Sequence, residues 1–430
     1  MARGNRMWKT VALACVVSVL AGSLVSCQKP EEYEGPSLEE LSDSSPALGY
    51  LAQRTHDVEG FLYAPGNTTN GSDFSYIYEN SAAIIALSHL GATREVELIA
   101  DAMVFAQDHD RYFDDGRLRN AYVGGNPREQ TGWSVFRGVD AVRLPGTWKD
   151  GIWQEDFYAV STSTGNMAWA LMALCEAYGV ASESKADSYR QAAIRVADYL
   201  LTMKSATGGF TAGYEGWDKD QVMASYKSTE HNIDLIVAFL IAADVVAPTD
   251  PAKEAQYRSA SQHAEEFVVS MYNESLNNFY TGTGDDGVTA FEGVLPLDVN
   301  AWALLALAER LDDTDLIVGF IEEKLSVEDG FGFSTGDLSG VWNEGTAHMA
   351  LVYRELEMTD SYERTMAYLS TQTAVDGSIT AASKDGLTTG FMVSGTEVMW
   401  IYNNITSIGA TVWLAFAQMD MNPLQYPRPI

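Results

Sequence analysis

Residues 226–235 read YKSTEHNIDL and place Glu230, His231, Asn232 and Asp234 at the entry of an apolar helix. Ser228 and Thr229 are the natural caps, because a hydroxyl oxygen at a helix start accepts from an unpaired backbone N–H. Glu230 and His231 are therefore not needed as caps. Asp234 follows Glu230 by four residues, one turn along the same face, near enough for one carboxyl to raise the pKa of the other. A carboxyl held protonated near neutral pH is a general acid. Paired with a second carboxylate that activates water or attacks carbon, it can break a glycosidic bond.

The elements that must position these groups repeat along the chain. YENSAAIIALSHLG (78–91), TGNMAWALMALCEAYG (164–179) and TEHNIDLIVAFLIAADV (229–245) share one pattern with LDVNAWALLALAERL (297–311), NEGTAHMALVYREL (343–356) and TSIGATVWLAFAQMD (406–420). Each is a polar entry followed by almost continuously apolar helix, as a buried helix requires. Asn80, Asn166, Asn232 and Asn300 hold equivalent places, with Thr346 and Gly409 corresponding in the last two copies. Amphipathic helices such as ADSYRQAAIRVADYLLTM (186–203) lie between them, each ending in a turn with Gly or Asn, such as TGGFTAGY (207–214). PALGYLAQRTHDVEGFLY (46–63) supplies the first outer helix. Six such pairs predict an all-α fold, an (α/α)6 toroid or six-hairpin barrel, with short β-like turns after the outer helices.

In such a ring the inner-helix entries gather at one mouth. Glu230, Asp298 and Glu344 each precede the repeat's Asn or Thr by two residues, and Glu79 precedes Asn80 by one. The loop GTWKDGIWQEDFYAVSTSTGN (146–166) adds Glu155 and Asp156 among Trp148, Trp153, Phe157 and Tyr158. Glu230 is the expected acid. Asp156 is the first choice of base, followed by Glu155, Glu344 and Glu79. Aromatic faces stack on the apolar faces of sugar rings, so Trp153, Tyr158, Trp217, Tyr226, Trp342 and Trp400 are candidate binding residues, with Trp133 and Tyr402 nearby. His231, Asn232, Asp234, Asp298 and His348 are candidate partners for hydroxyls. Trp169, Trp302 and Trp413, within the helices, read as core.

The repeat, together with YIYENSAAIIALSHLG, STGNMAWALMAL, KSTEHNIDL and LPLDVNAWALLAL, resembles the six-hairpin glycosidase-like superfamily over roughly residues 46–425. The resemblance implies a glycoside hydrolase, of the inverting type, acting on an oligo- or polysaccharide. It transfers no particular catalytic pair. Two other readings use the same residues. One is a non-catalytic surface carbohydrate-binding protein, and the other is a sugar epimerase with His231 and His348 as its acid and base. A lyase acting on anionic uronates needs a basic pocket, for which Arg137, Arg143 and Lys149 are the only evident source.

YFDDGRL (112–118) resembles the adjacent aspartates of mannan-cleaving toroids but falls on a recurring glycine turn, and DDTD (312–315) is a solvated interhelical turn. DHDRYFDD (108–115) puts Tyr112 where a calcium loop needs an oxygen ligand. No phosphate-cradling loop occurs, and neither a metal nor a cofactor is expected.

At the N-terminus, Arg3, Arg6 and Lys9 precede an apolar run from Val11 to Leu20 and then Leu24-Val25-Ser26-Cys27. This is the pattern of a secretory signal, 1–26, and it resembles a bacterial lipobox with Cys27 as the lipidation site. Residues 27–45, acidic and rich in Ser and Pro, read as a tether to the domain 46–430. Gln28 resembles outer-membrane sorting within a bacterial envelope. Cys175 is left without a partner, as a buried thiol. The chain has 27 basic and 59 acidic residues. Losing Arg3, Arg6 and Lys9 with the leader leaves 24 against 59, a net charge of −35. That field argues against nucleic acid and polyanions. Membrane contact is expected through the lipid alone, and no obligate protein partner is evident.

Overall fold

In order along the chain, the helices are α1 (Leu38–Ser44), α2 (Pro46–Val58), α3 (Ile77–His89), α4 (Thr93–Asp108), the single turn α5 (Phe157–Val160), α6 (Thr164–Val180) and α7 (Glu183–Leu201). They continue as α8 (Thr229–Val246), α9 (Pro251–Ser270), α10 (Leu297–Leu307), α11 (Thr314–Leu325), α12 (Asn343–Glu355), α13 (Thr359–Gln372) and α14 (Ile408–Gln418). The structure is a computed structural model and describes residues 35–65, 68–69, 72–130, 141–393 and 396–427. Cys27, Trp133 and Arg137 lie outside these.

The six predicted apolar segments are α3, α6, α8, α10, α12 and α14. Each packs on the next, and α14 packs on α3, so the inner ring closes. The outer helices are α2, α4, α7, α9, α11 and α13, each packed against the inner helix that precedes it around the ring. A ring of this kind hides both faces of an inner helix, so α6, α8 and α10 carry apolar residues all round. The fold is an (α/α)6 toroid. Several outer-to-inner turns form two-residue ladders, such as Tyr272–Asn273 with Asn278–Phe279.

One hydrogen bond, from a backbone N–H to a side-chain acceptor, recurs around the ring and sets the register of each inner helix. The oxygen of Asn80 accepts from the N–H of Leu62 at 2.7 Å, that of Asn232 from Phe210 at 2.8 Å and that of Asn300 from Phe279 at 2.8 Å. Thr346 Oγ1 takes the N–H of Phe331 at 3.1 Å, and Thr411 Oγ1 that of Ile379 at 3.2 Å. In the second repeat Met167 Sδ receives the N–H of Leu118 at 3.2 Å. Each donor sits in the turn after an outer helix, where its N–H is buried and needs an acceptor. The equivalent residues are therefore Met167 and Thr411, and the expected Asn166 and Gly409 are out of register by one and two residues. Asn232, expected to touch a ligand, is fully buried, and its amide group also donates to Phe210 O and Ser228 O. Asn232→Ala should cost roughly 2–4 kcal/mol in denaturant unfolding, since it strands a buried amide and opens a cavity. A loss below about 0.5 kcal/mol would show that this bond does not set the register.

The stretch 35–45, assigned by composition to a tether, belongs instead to the folded unit beginning at Gly35. Ser37 and Glu40 form a capping box on α1, and Leu41 is fully buried beside α2. A single apolar residue in register with the core outweighs the acidic composition.

Candidate active site

Ser228 is the N-cap of α8, its Oγ accepting from the His231 N–H at 3.2 Å, and Thr229 donates to Tyr280 O. Glu230 is therefore left to face the ring axis. With the register above, one position of each inner helix forms an upper ring: Tyr78, Gly165, Glu230, Asp298, Glu344 and Gly409. One turn deeper come Ala82, Trp169, Asp234, Trp302, His348 and Trp413. The upper ring supplies three carboxyls, and the deeper one supplies three indoles and the carboxyl of Asp234.

These two layers bound a cavity of about 350 Å³. Trp169 and Trp302 are its floor, and Trp413, in the same layer, stacks on Trp302 at 5.6 Å without lining the cavity. The three indoles are core, as their place within helices implies, but two of them also present a surface to a ligand. Tyr76, Tyr158, Tyr226, Trp342, Trp400 and Tyr402 line the walls.

Six carboxyl groups line the cavity: Glu79, Glu215, Glu230, Asp234, Asp298 and Glu344. No Lys or Arg lines it among the described residues. Burial away from water, reinforced by Asp298, Asp234 and Glu344, pushes Glu230 well above the usual carboxylate range. Asp234 is raised by burial and by Asp298, opposed by Trp169 Nε1, which donates to its Oδ1 at 3.1 Å. Its Oδ2 has no partner. Burial raises Asp298 to about 7 and Glu344 to about 8. The Tyr78 hydroxyl donates to Glu344 Oε1 at 2.7 Å. Burial also raises Glu79 to about 7, opposed by the Gly409 N–H, which donates to its Oε1 at 3.0 Å. That donor belongs to the first turn of α14, where unpaired N–H groups and the helix dipole favour an anion.

Two glycines make room for these side chains. A Cβ at Gly409 would lie 2.7 Å from Glu344 Oε2 and 3.4 Å from Glu79 Oε1, so the two carboxyls meet over this glycine. A Cβ at Gly165 would lie 2.5 Å from His231 Cδ2. His231 lines the cavity as a neutral imidazole, lowered to about 4 by burial.

Several expected site residues are placed elsewhere. Asp156 caps α5, accepting from the Ala159 N–H at 2.9 Å. Glu155 is bound by Arg111, with Nη2 donating to Oε2 at 2.6 Å. Neither lines the cavity. Arg111 also meets Asp218, and Asp218 meets the fully buried Arg119, which Asp110 binds. This network fixes the loop that carries Tyr158. Trp153 is buried under Arg143, its Nε1 donating to Leu144 O at 3.3 Å. Trp217 stands outside the cavity, 46% exposed, edge-on to Phe157. His348 is fully buried among Trp302, Trp342 and Trp413 and is not on the wall. A pair of facing histidines is therefore not formed. Arg143 does not line the cavity either, which removes a basic pocket from that source.

Tyr76, Tyr78, Phe333, Phe391, Glu215 and Gly165 also line the cavity and were not picked out in the sequence. Tyr78 could have been, because it stands two residues before Asn80, the place that Glu230 holds before Asn232.

Neither a protein-family model nor a curated protein sequence matches the chain. Solved structures do match it in shape. A glycosidase in complex with glucose superposes with a TM-score of 0.58 at 12% identity, over 90% of this chain and 100% of that one. An α-amylase from Clostridium perfringens gives 0.54 at 11%, over 86% and 96%. A cellobiose 2-epimerase from Bacillus thermoamylovorans gives 0.56 at 11%, over 88% and 98%. At such identities the likeness is one of fold, the (α/α)6 toroid.

Proposed function

We propose that this chain is a glycoside hydrolase acting on a neutral oligo- or polysaccharide. The carrying observation is Glu230, a carboxyl raised by burial and by three neighbouring carboxyls, facing a cavity floored by Trp169 and Trp302. Protonated Glu230 gives its proton to the glycosidic oxygen as the bond to the anomeric carbon breaks. A water attacks that carbon and loses its proton to the Glu79–Glu344 pair. Of the two, Glu79 is the ionised member, because the α14 N–H stabilises its anion, while burial and the Glu79 charge keep the proton on Glu344 despite the hydroxyl that Tyr78 donates to it. Asp298 and Asp234 accept from sugar hydroxyls, and Tyr158, Tyr226, Trp342 and Trp400 pack on the ring faces. The inverting course is our reading of the site. His348, away from the wall, disfavours the epimerase. Lipidation at Cys27 would hold the domain on the outer side of a bacterial membrane.

The test is sugar release from a panel of neutral oligosaccharides by residues 35–430, with the anomer of the first product read by NMR. Release with inversion supports the reading. Binding without release across the panel would sink it in favour of a carbohydrate-binding protein.

A further inference from the structure

The hairpin Leu387–Met392 with Met399–Tyr402, carried by the loop that enters α14, crosses the mouth of the ring. On one side it is tied to the loop before α12. Ser334 Oγ donates to Thr389 O at 2.7 Å, in a buried bond, and the Thr388 N–H donates to Asp337 Oδ2 at 3.1 Å. A Cβ at Gly390, whose φ is +83°, would lie 3.0 Å from Val294 in the loop before α10. On the other side Trp400 meets Tyr158, in the loop before α6, edge-on at 5.0 Å. Tyr158 in turn meets Tyr76, at the entry of α3, at 6.2 Å. Tyr402 stacks on Trp342 at 5.8 Å. The hairpin therefore reaches from α14 to the entries of α6 and of α12, over α3, and its Phe391, Trp400 and Tyr402 line the cavity.

A chain bound by its middle must leave a site at two ends. Here one end meets the aromatic wall of Tyr76, Tyr158 and Trp400, and the floor is the indole cluster. At the α8 side the border is different: Glu215 and Tyr226 line the cavity, joined at 3.3 Å, and Trp217, two residues beyond Glu215, is exposed. A volume of about 350 Å³ is at the small end of ligand pockets, which run from about 300 to 1,000 Å³. It suits a sugar or two, not a chain.

Resting on the hydrolase reading above, we propose that the cavity is blind, so that the protein acts on the terminal sugar of a glycan. The paired strands Leu387–Met392 and Met399–Tyr402 are the end wall, and Trp217 is the platform for the sugars that follow. Chain ends rather than interiors are then the substrate class. Trp400 and Tyr158 determine specificity by blocking extension, without touching the reacting atoms.

The experiment uses one neutral oligosaccharide series in three forms: both ends free, one end blocked by a bulky ether, and both ends blocked. Free chains should shorten from one end, with the smallest sugar as the only early product. Blocking that end or both should reduce turnover at least 100-fold. Trp400→Gly should restore at least a tenth of the lost turnover on the blocked chains. Mid-length early products, or cleavage of doubly blocked chains by the unmodified protein, would overturn the blind cavity and leave the hydrolase standing. If no chain is cut, calorimetric titration of the same forms decides. Free chains binding at least tenfold tighter than doubly blocked ones would keep the blind cavity while the hydrolase falls. Equal binding, or no binding of any form, overturns the inference.

Discussion

Glu230→Gln is expected to lower kcat on an unactivated oligosaccharide by about 10²–10⁴-fold with little change in KM, because the amide keeps the shape of the acid and cannot give a proton. The chemical signature is leaving-group dependence. An aryl glycoside with an acidic phenol departs without protonation, so on that substrate the same variant should lose no more than about tenfold. Equal losses on both substrates would remove Glu230 from the role of acid. The pH profile adds an independent check. The base must be ionised, and Glu79 is raised to about 7, so kcat/KM should climb as pH rises through that value. Glu230 must be protonated, and burial with Asp298, Asp234 and Glu344 holds it well above the usual carboxylate range, so activity should fall again once the pH is high enough to ionise it. A hydrolase of this design works best in neutral to alkaline solution. An optimum near pH 5 would contradict it.

Glu344→Gln should move activity and stability in opposite directions. Burial and the neighbouring Glu79 raise the folded-state value of Glu344 to about 8, against 4.5 when unfolded. The folded protein therefore binds this proton more tightly than the unfolded chain. Below pH 4.5 both states are protonated and the site carries no penalty. As pH rises towards 8 the unfolded chain ionises freely, and stability falls. Glutamine, which still accepts from Tyr78, escapes that loss. At pH 8.5 the variant should be more stable by on the order of 2 kcal/mol, a few degrees in Tm, and the gain should vanish near pH 4. Turnover should drop about 10²-fold or more, since half of the water-activating pair is gone. Thermal melts at pH 4, 6 and 8.5 measure the first effect. Melting curves that coincide at every pH would show that Glu344 is not held under this strain. A gain of stability on loss of a working group marks a site assembled against the preference of the fold.

The ring itself was legible because its cause is local. Six apolar helices alternating with amphipathic ones can bury their faces in few ways, and that periodicity is written in the residues. Helix capping was legible for the same reason: Ser228 needs only the three residues after it to cap α8. The carboxyls at inner-helix entries followed from the repeat, and Glu230, Asp298, Glu344 and Glu79 do line one cavity. Register was harder, because residue identity is an imperfect guide to a hydrogen bond. Met167 sulfur and Thr411 hydroxyl replace an asparagine oxygen, so alignment by Asn or Gly slipped in those two repeats.

What only the tertiary structure decided are the partners that come from far along the chain. Glu155 and Asp156 have the composition of an active-site loop, but Arg111 stands 44 residues away and neutralises Glu155. His348, like His231, stands near an inner-helix entry, yet it lies one turn deeper than the carboxyl ring and is enclosed by three indoles. The wall made by Trp400 and Tyr158 joins residues from loops far apart in the sequence. Periodicity and caps depend on residues within a turn or two of each other, so the sequence by itself determines them. Burial, ion pairing and the shape of a cavity depend on which distant segments meet, and only the closed ring sets that.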